Sequence, residues 1–313
     1  MNLLVGALAM GFLLSLLALG VFVAYRVLGT LDLTADGAFG LGAATAGALL
    51  LRGIDPVTST LLAAAAGAAA GTITGLLHTA LGVQVLLAGI LTTTALYSIT
   101  LWIMGGGDIS LASTSTVPGL AEALWRGLGG APGGITLWGT QVHANNLSAL
   151  GLFLGLGIAG AWLLFRFLRT SFGLAMRAAG ENPQMARALG IDTNRMVLRG
   201  LALANALIAA CGALFAQYQG FANVQMGLGM LVTGLACAML GEALVGRPTL
   251  SRRIAGVVAG AILFRLLVAG ALRAGLPASA LKLATAAFVL VALAIPVLLA
   301  KRAKPEQPEA PRA

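Results

Sequence analysis

The sequence predicts an all-α polytopic membrane protein of about nine (eight to ten) transmembrane helices, and three observations carry that expectation. Of 313 residues, 59% are hydrophobic, only 9% are charged, and the apolar residues fall in long runs. An ordinary soluble domain carries about 25% charged residues. So few charges cannot clothe a water-soluble surface, whereas lipid makes that clothing unnecessary. The runs lack the period-two alternation of a β-barrel, which leaves helix as the spanning structure.

At about 20 apolar residues per crossing, the spans fall near 3–28, 33–51, 57–79, 83–104, 147–168, 197–219, 227–246, 254–272 and 281–300. The first lacks a basic n-region and is too long for a signal sequence, so it is read as a retained span. Residues 1–300 form a single transmembrane domain, with loops at 105–146 and 170–195, and a basic, Pro-rich tail follows at 301–313.

The net charge of +9 does not mark a nucleic-acid binder, because the arginines sit at the ends of apolar runs. They orient the chain instead. Arg166, Arg169, Arg177, Arg187, Arg195 and Arg199 flank one connection, Arg247, Arg252 and Arg253 another, and Lys301, Arg302, Lys304 and Arg312 lie in the tail. The connection 105–146 holds only Arg126. Positive charge is retained in the cytoplasm, so 170–195 and the tail are inside, while 105–146 and the N-terminus are outside. Arg52, Arg273 and Lys282 oppose this scheme and are outnumbered.

Two spans are unusual. Residues 31–51 and 223–244 are short, rich in Gly and Thr, and begin with polar residues. Five positions apart in span order, they cross in opposite directions, as expected of an inverted repeat whose discontinuous helices line a pathway. Close helix packing through small residues is the other reading of their glycines, and it suffices for Gly67, Gly71 and Gly75.

In the inside loop, Asn182 suits a helix N-cap, Pro183 the first helical position and Gly190 a left-handed stop. A helix of two turns is too short to stand alone. Flanked by Arg177, Glu181, Arg187 and Asp192, it fits either docking into a partner or lying on anionic headgroups.

The segment MRAAGENPQMARALGID (176–192) resembles the coupling-helix region of permease subunits of ATP-binding-cassette (ABC) importers, in the branched-chain amino acid and ribose permease group. LDLTADGAFGLGAA (31–44), LLAGILTTTALYSITLWIMG (86–105) and GALFAQYQGFANVQMGLGMLVTGLACAMLGEAL (212–244) are similar to a sub-branch assigned to tryptophan or tyrosine. The resemblance implies a bacterial cytoplasmic (inner) membrane location, a pair of permease subunits, a separate ATPase and an extracytoplasmic binding protein. It also implies that Glu181, Asn182, Pro183, Met185, Ala186, Arg187, Leu189 and Gly190 meet the ATPase.

The chain has no G-x-x-x-x-G-K-[ST], so the energy has to come from a partner. The formal G-x-G-x-x-G at Gly155, Gly157 and Gly160 lies inside a span and is read as packing. His78 and His143 stand apart, and Cys211 and Cys237 lie in apolar runs, so no metal site, catalytic group or cofactor is expected.

Asp32 and Asp36 are read as caps of the second span near water, or as substrate or gating groups. Glu242 is expected to pair with Arg247, and Arg265 needs a partner that the sequence does not name. Polar pathway candidates are Asp36, Thr92, Thr93, Asn205, Gln217, Gln219 and Asn223, although interhelical hydrogen bonds would use them equally well. The other class of function is an ion- or proton-coupled secondary transporter, which should carry intramembrane carboxylates.

Overall fold

Capping chemistry sets several helix ends. Asp55 accepts hydrogen bonds from the amides of Val57 and Thr58, Pro56 occupies the first turn, and Gly82 at φ 69° closes the helix between them. Asp192 and Thr249 cap two later helices in the same way. The computed structural model describes residues 2–127, 135–137, 140–142, 144–245 and 249–275, together with 283, 285–287 and 290.

Helix α1 (Asn2–Phe22) continues through a π-helical turn, Val23–Val27. Then come α2 (Thr34–Leu51), α3 (Pro56–Leu81), α4 (Val85–Ile103), strand β1 (Ile109–Ser110) and α5 (Val117–Gly127). Strands β2 (Ile135–Leu137) and β3 (Thr140–Val142) precede α6 (Ala144–Leu168), α7 (Ser171–Glu181), α8 (Pro183–Ala188) and α9 (Thr193–Gln219). The chain continues with β4 (Phe221–Ala222), a 3-10 turn (Val224–Gly227), α10 (Met230–Val245) and α11 (Leu250–Arg273).

Among the described residues eight helical segments are long and apolar enough to cross a membrane, and they match the first eight sequence spans. The ninth, 281–300, falls almost wholly outside the described residues. The protein is an all-α polytopic membrane protein, with the first span the most enclosed of these eight.

Packing follows an approximate two-fold pattern. Helix α3 lies along α9, α11 lies along α1, and α2 on α3 is matched by α10 on α11. Segment 222–231 runs antiparallel to α2: Gly47 faces Ala222, Gly40 faces Val224, and Asp36 meets Gly227, Gly229 and Leu231. The pair of spans expected to oppose each other therefore does so.

Small residues make these approaches possible. A Cβ on Gly42 would stand 2.1 Å from the Ala209 carbonyl oxygen, and one on Gly212 would stand 2.1 Å from that of Phe39. Gly67, Gly71 and Gly75 face Asn205, Leu201 and Leu198 in the same fashion, which bears out their packing role. Gly157 and Gly160 of the formal G-x-G-x-x-G pack on Ser15 and Leu16 of α1.

Overpacking a tight contact costs about 1–3 kcal/mol, sometimes more. Gly42→Val is therefore expected to lower the melting temperature in detergent strongly, while Gly151→Ala, with nothing within 4 Å, should not. Equal melting of the two variants would show that α2 and α9 are not in this contact.

Candidate functional site

Helix α10 starts inside the bundle, after a run without α-helix, holding only β4 and the 3-10 turn, that descends from the end of α9. Gly220, at φ 78°, turns the chain, and β4 pairs with β1. Asn223 accepts from the Gln225 amide and donates to Asp108 Oδ1 at 2.6 Å, which ties the run to the loop after α4. The free amides at the α10 N-terminus then meet Asp36: Leu231 donates to Oδ1 at 2.7 Å and Gly229 to Oδ2 at 3.1 Å. Asp36 thus caps α10 rather than its own helix, and its charge sits at the positive end of that helix. Beside it lies a small cavity, about 40 Å³, lined by Asp36, Thr93, Tyr97, Thr100, Gly227 and Leu228 among others.

Asp32, two residues before α2, was expected near water but is 2% exposed. Its Oδ1 accepts from the Thr34 amide, and its Oδ2 accepts from Asn205 Nδ2 at 2.7 Å. Asn205 lies six residues beyond Arg199 on α9, or about 9 Å deeper at 1.5 Å per residue. Next to this pair, Thr34 Oγ1 contacts Thr74 Oγ1 at 2.7 Å, and Thr74 donates to Thr92 at 2.9 Å. Thr93 donates to the Leu33 carbonyl. The loop before α2 is thereby fastened to α3, α4 and α9. Asn205 Oδ1 is buried with no hydrogen-bond partner among the described residues.

Helices α7 and α8 lie together at the end of the molecule where α6 finishes and α9 begins. Asn182 Oδ1 accepts from the Met185 amide at 3.0 Å, Pro183 opens α8, and Gly190 has φ 79°. Ala186 is fully buried, whereas Met185 and Leu189, one turn apart, are 52% and 69% exposed. Glu181 is exposed, and Arg187 donates to Thr193. Gly180 of α7 abuts the turn after α1, where a Cβ would stand 2.0 Å from the Val27 carbonyl oxygen. In that turn Arg26 forms an ion pair with buried Glu242 of α10. The expected Glu242–Arg247 pair falls on Arg247, which lies outside the described residues.

Residues 3–299 match the family described as the permease component of the branched-chain amino acid transport system. The chain belongs to this family. It is 33% identical to a tyrosine transport system permease protein of Clostridioides difficile, over 93% of this chain and 90% of that one. It is also 32% identical to an autoinducer 2 import system permease protein of Enterobacter, over 73% of this chain and 60% of that one. A solved metal-chelate type ABC transporter in an inward-facing conformation shares the fold, with TM-score 0.52 and 16% identity over 96% of this chain and 85% of that chain. The protein is a multi-pass ABC-type permease of the bacterial inner membrane, and ATP hydrolysis belongs to a separate subunit.

The structure divides the sequence-derived pathway candidates. Asp36 and Thr93 line the small cavity, while Thr92 is locked in the buried threonine chain and Asn205 against Asp32. Gln217 bridges Thr60 and the Val117 amide and so supports α5. Asn223 braces the descending run, and Gln219 is exposed at the end of α9. Tyr97, Thr100 and Leu228 were missed, because their neighbours come from distant segments. His78 bonds the Val83 carbonyl at the end of α3, and His143 lies outside the described residues. Arg265 has Tyr218 and Cys237 as electrostatic neighbours, with no carboxylate in ion-pair range among the described residues. Cys211 and Cys237 are buried, free thiols.

Removing Asp36 leaves the Gly229 and Leu231 amides without this acceptor, and the part-buried Leu231 amide carries most of the cost, at about 1 kcal/mol or more. Asp36→Ala should lower the detergent melting temperature clearly, and Asp36→Asn, which keeps one acceptor oxygen, should do so less. Wild-type melting in both variants would disprove the capping role.

Proposed function

We propose that two permease subunits, this chain and a homo- or heteromeric partner, form the pathway of an ABC importer for a small solute, an amino acid of aromatic or branched-chain type. The observation that carries this reading is the break before α10. Non-helical backbone at membrane depth is tolerated only where protein buries it or where it lines water. Here Gln225, Leu228 and Gly229 are exposed beside Tyr97 of α4. That face has to meet a second subunit or an aqueous pathway rather than acyl chains. Tyrosine enters through the relative of that description, which supports an aromatic substrate.

The orientation from charge puts α7 and α8 in the cytoplasm, where the apolar pair Met185 and Leu189 faces outward for an ATPase. A contiguous set of contacts leads from there to the break: α7 on Val27, Arg26 on Glu242, and α10 up to Asp36. Closure of the ATPase would shift α8 and tilt α10, and differential contact with the two membrane states makes such a shift possible. An extracytoplasmic binding protein would deliver the solute from the 105–146 side.

A coupled secondary transporter should carry an intramembrane carboxylate, and Asp36 lies within the Thr34–Leu51 span. That criterion therefore does not separate the two classes; membership of the permease family does.

The test is co-purification with the cognate ATPase. Met185→Glu with Leu189→Glu, and separately Glu181→Ala with Arg187→Glu, are expected to reduce bound ATPase on the order of tenfold, as for loss of interface anchors. Undiminished binding in both variants would remove α8 from the interface.

A further inference from the structure

On the side that carries α7 and α8, an apolar groove runs between α6 and α11, outside the machinery described above. Ile158, Ala161, Trp162 and Phe165 line it from α6, and Ile254 and Val258 from α11. The α6 residues follow the i, i+3, i+4, i+7 spacing of one helical stripe. The groove encloses about 350 Å³, within the range of about 300–1,000 Å³ usual for ligand sites.

Its mouth is basic. Arg166 lies over the Trp162 ring at 5.7 Å and Arg169 over the Phe165 ring at 5.2 Å, so the last two groove residues of α6 each hold a guanidinium. Arg166, Arg169 and Thr170 line a second hollow of about 390 Å³. Neither arginine has a carboxylate in ion-pair range among the described residues. An apolar trough that ends in two unpaired, pre-positioned guanidiniums is complementary to one kind of molecule: an acyl chain joined to a phosphate.

We propose that an anionic phospholipid of the bilayer occupies this groove, with an acyl chain along the Trp162 stripe and its phosphate between Arg166 and Arg169. A zwitterionic lipid fits the trough but brings a positive group to the arginines, so the site discriminates by headgroup. The lipid would wedge α6 against α11, both of which pack on α1.

The test uses the full-length chain in lipid nanodiscs with Trp162 as the sole tryptophan, through Trp102→Phe, Trp125→Phe and Trp138→Phe. Phosphatidylglycerol or phosphatidylcholine brominated on the acyl chain is added as quencher. Phosphatidylglycerol is expected to quench Trp162 at a mole fraction lower by on the order of tenfold. Arg166→Gln with Arg169→Gln should abolish that preference while leaving quenching at high lipid fraction intact. Equal quenching by the two lipids, or a preference that survives loss of both arginines, would overturn the site. Absence of quenching by either lipid would also overturn it, since protein would then cover the groove.

Discussion

A backbone amide at membrane depth has no water to turn to, and that constraint organises this molecule. Where the chain leaves helical geometry between α9 and α10, its amides need acceptors inside the bundle. Asp36 supplies two of them from 195 and 193 residues away in sequence. For the carboxylate to reach, α2 has to run against segment 222–231 at glycine distance, which is why Gly227 stands where a Cβ would come 2.0 Å from the Asp36 carbonyl oxygen. The break, the cap and the antiparallel course of the two segments are one arrangement.

The same logic applies one turn lower. Asp32 is buried without a cationic partner in ion-pair range among the described residues, and its bonds to Asn205 and the Thr34 amide are what make it tolerable there. With the threonine chain it anchors the loop before α2 to three other helices. These bonds lie beneath the break, whereas α10 connects through Glu242 and Arg26 to the α7 side.

Spans and the short helix α8 were legible because their signals are local. Long apolar runs give the crossings, and Asn182, Pro183 and Gly190 encode their own cap, first turn and stop. The opposed pair was legible from composition and span parity. What linear sequence did not reveal were partners far along the chain. Glu242 pairs with Arg26, 216 residues distant. Asp32 and Asp36 read as surface caps because they begin an apolar run; packing buries Asp32, and Asp36 reaches the amides of Gly229 and Leu231 far along the chain. Helix α5 escaped notice because its amphipathic pattern lies in a polar loop with no crossing to mark it.

The claim that the break lines an aqueous pathway is tested most directly by thiol accessibility in intact membranes. Leu228→Cys and Tyr97→Cys stand at the break, Leu163→Cys on the exposed face of α6 provides the lipid-facing reference, and the native Cys211 and Cys237 are fully buried. A charged, membrane-impermeant thiol reagent should label the first two positions and spare the third, which should yield only to a lipid-soluble maleimide. If Leu228→Cys and Tyr97→Cys instead behave like Leu163→Cys, the break does not meet water and the pathway lies elsewhere.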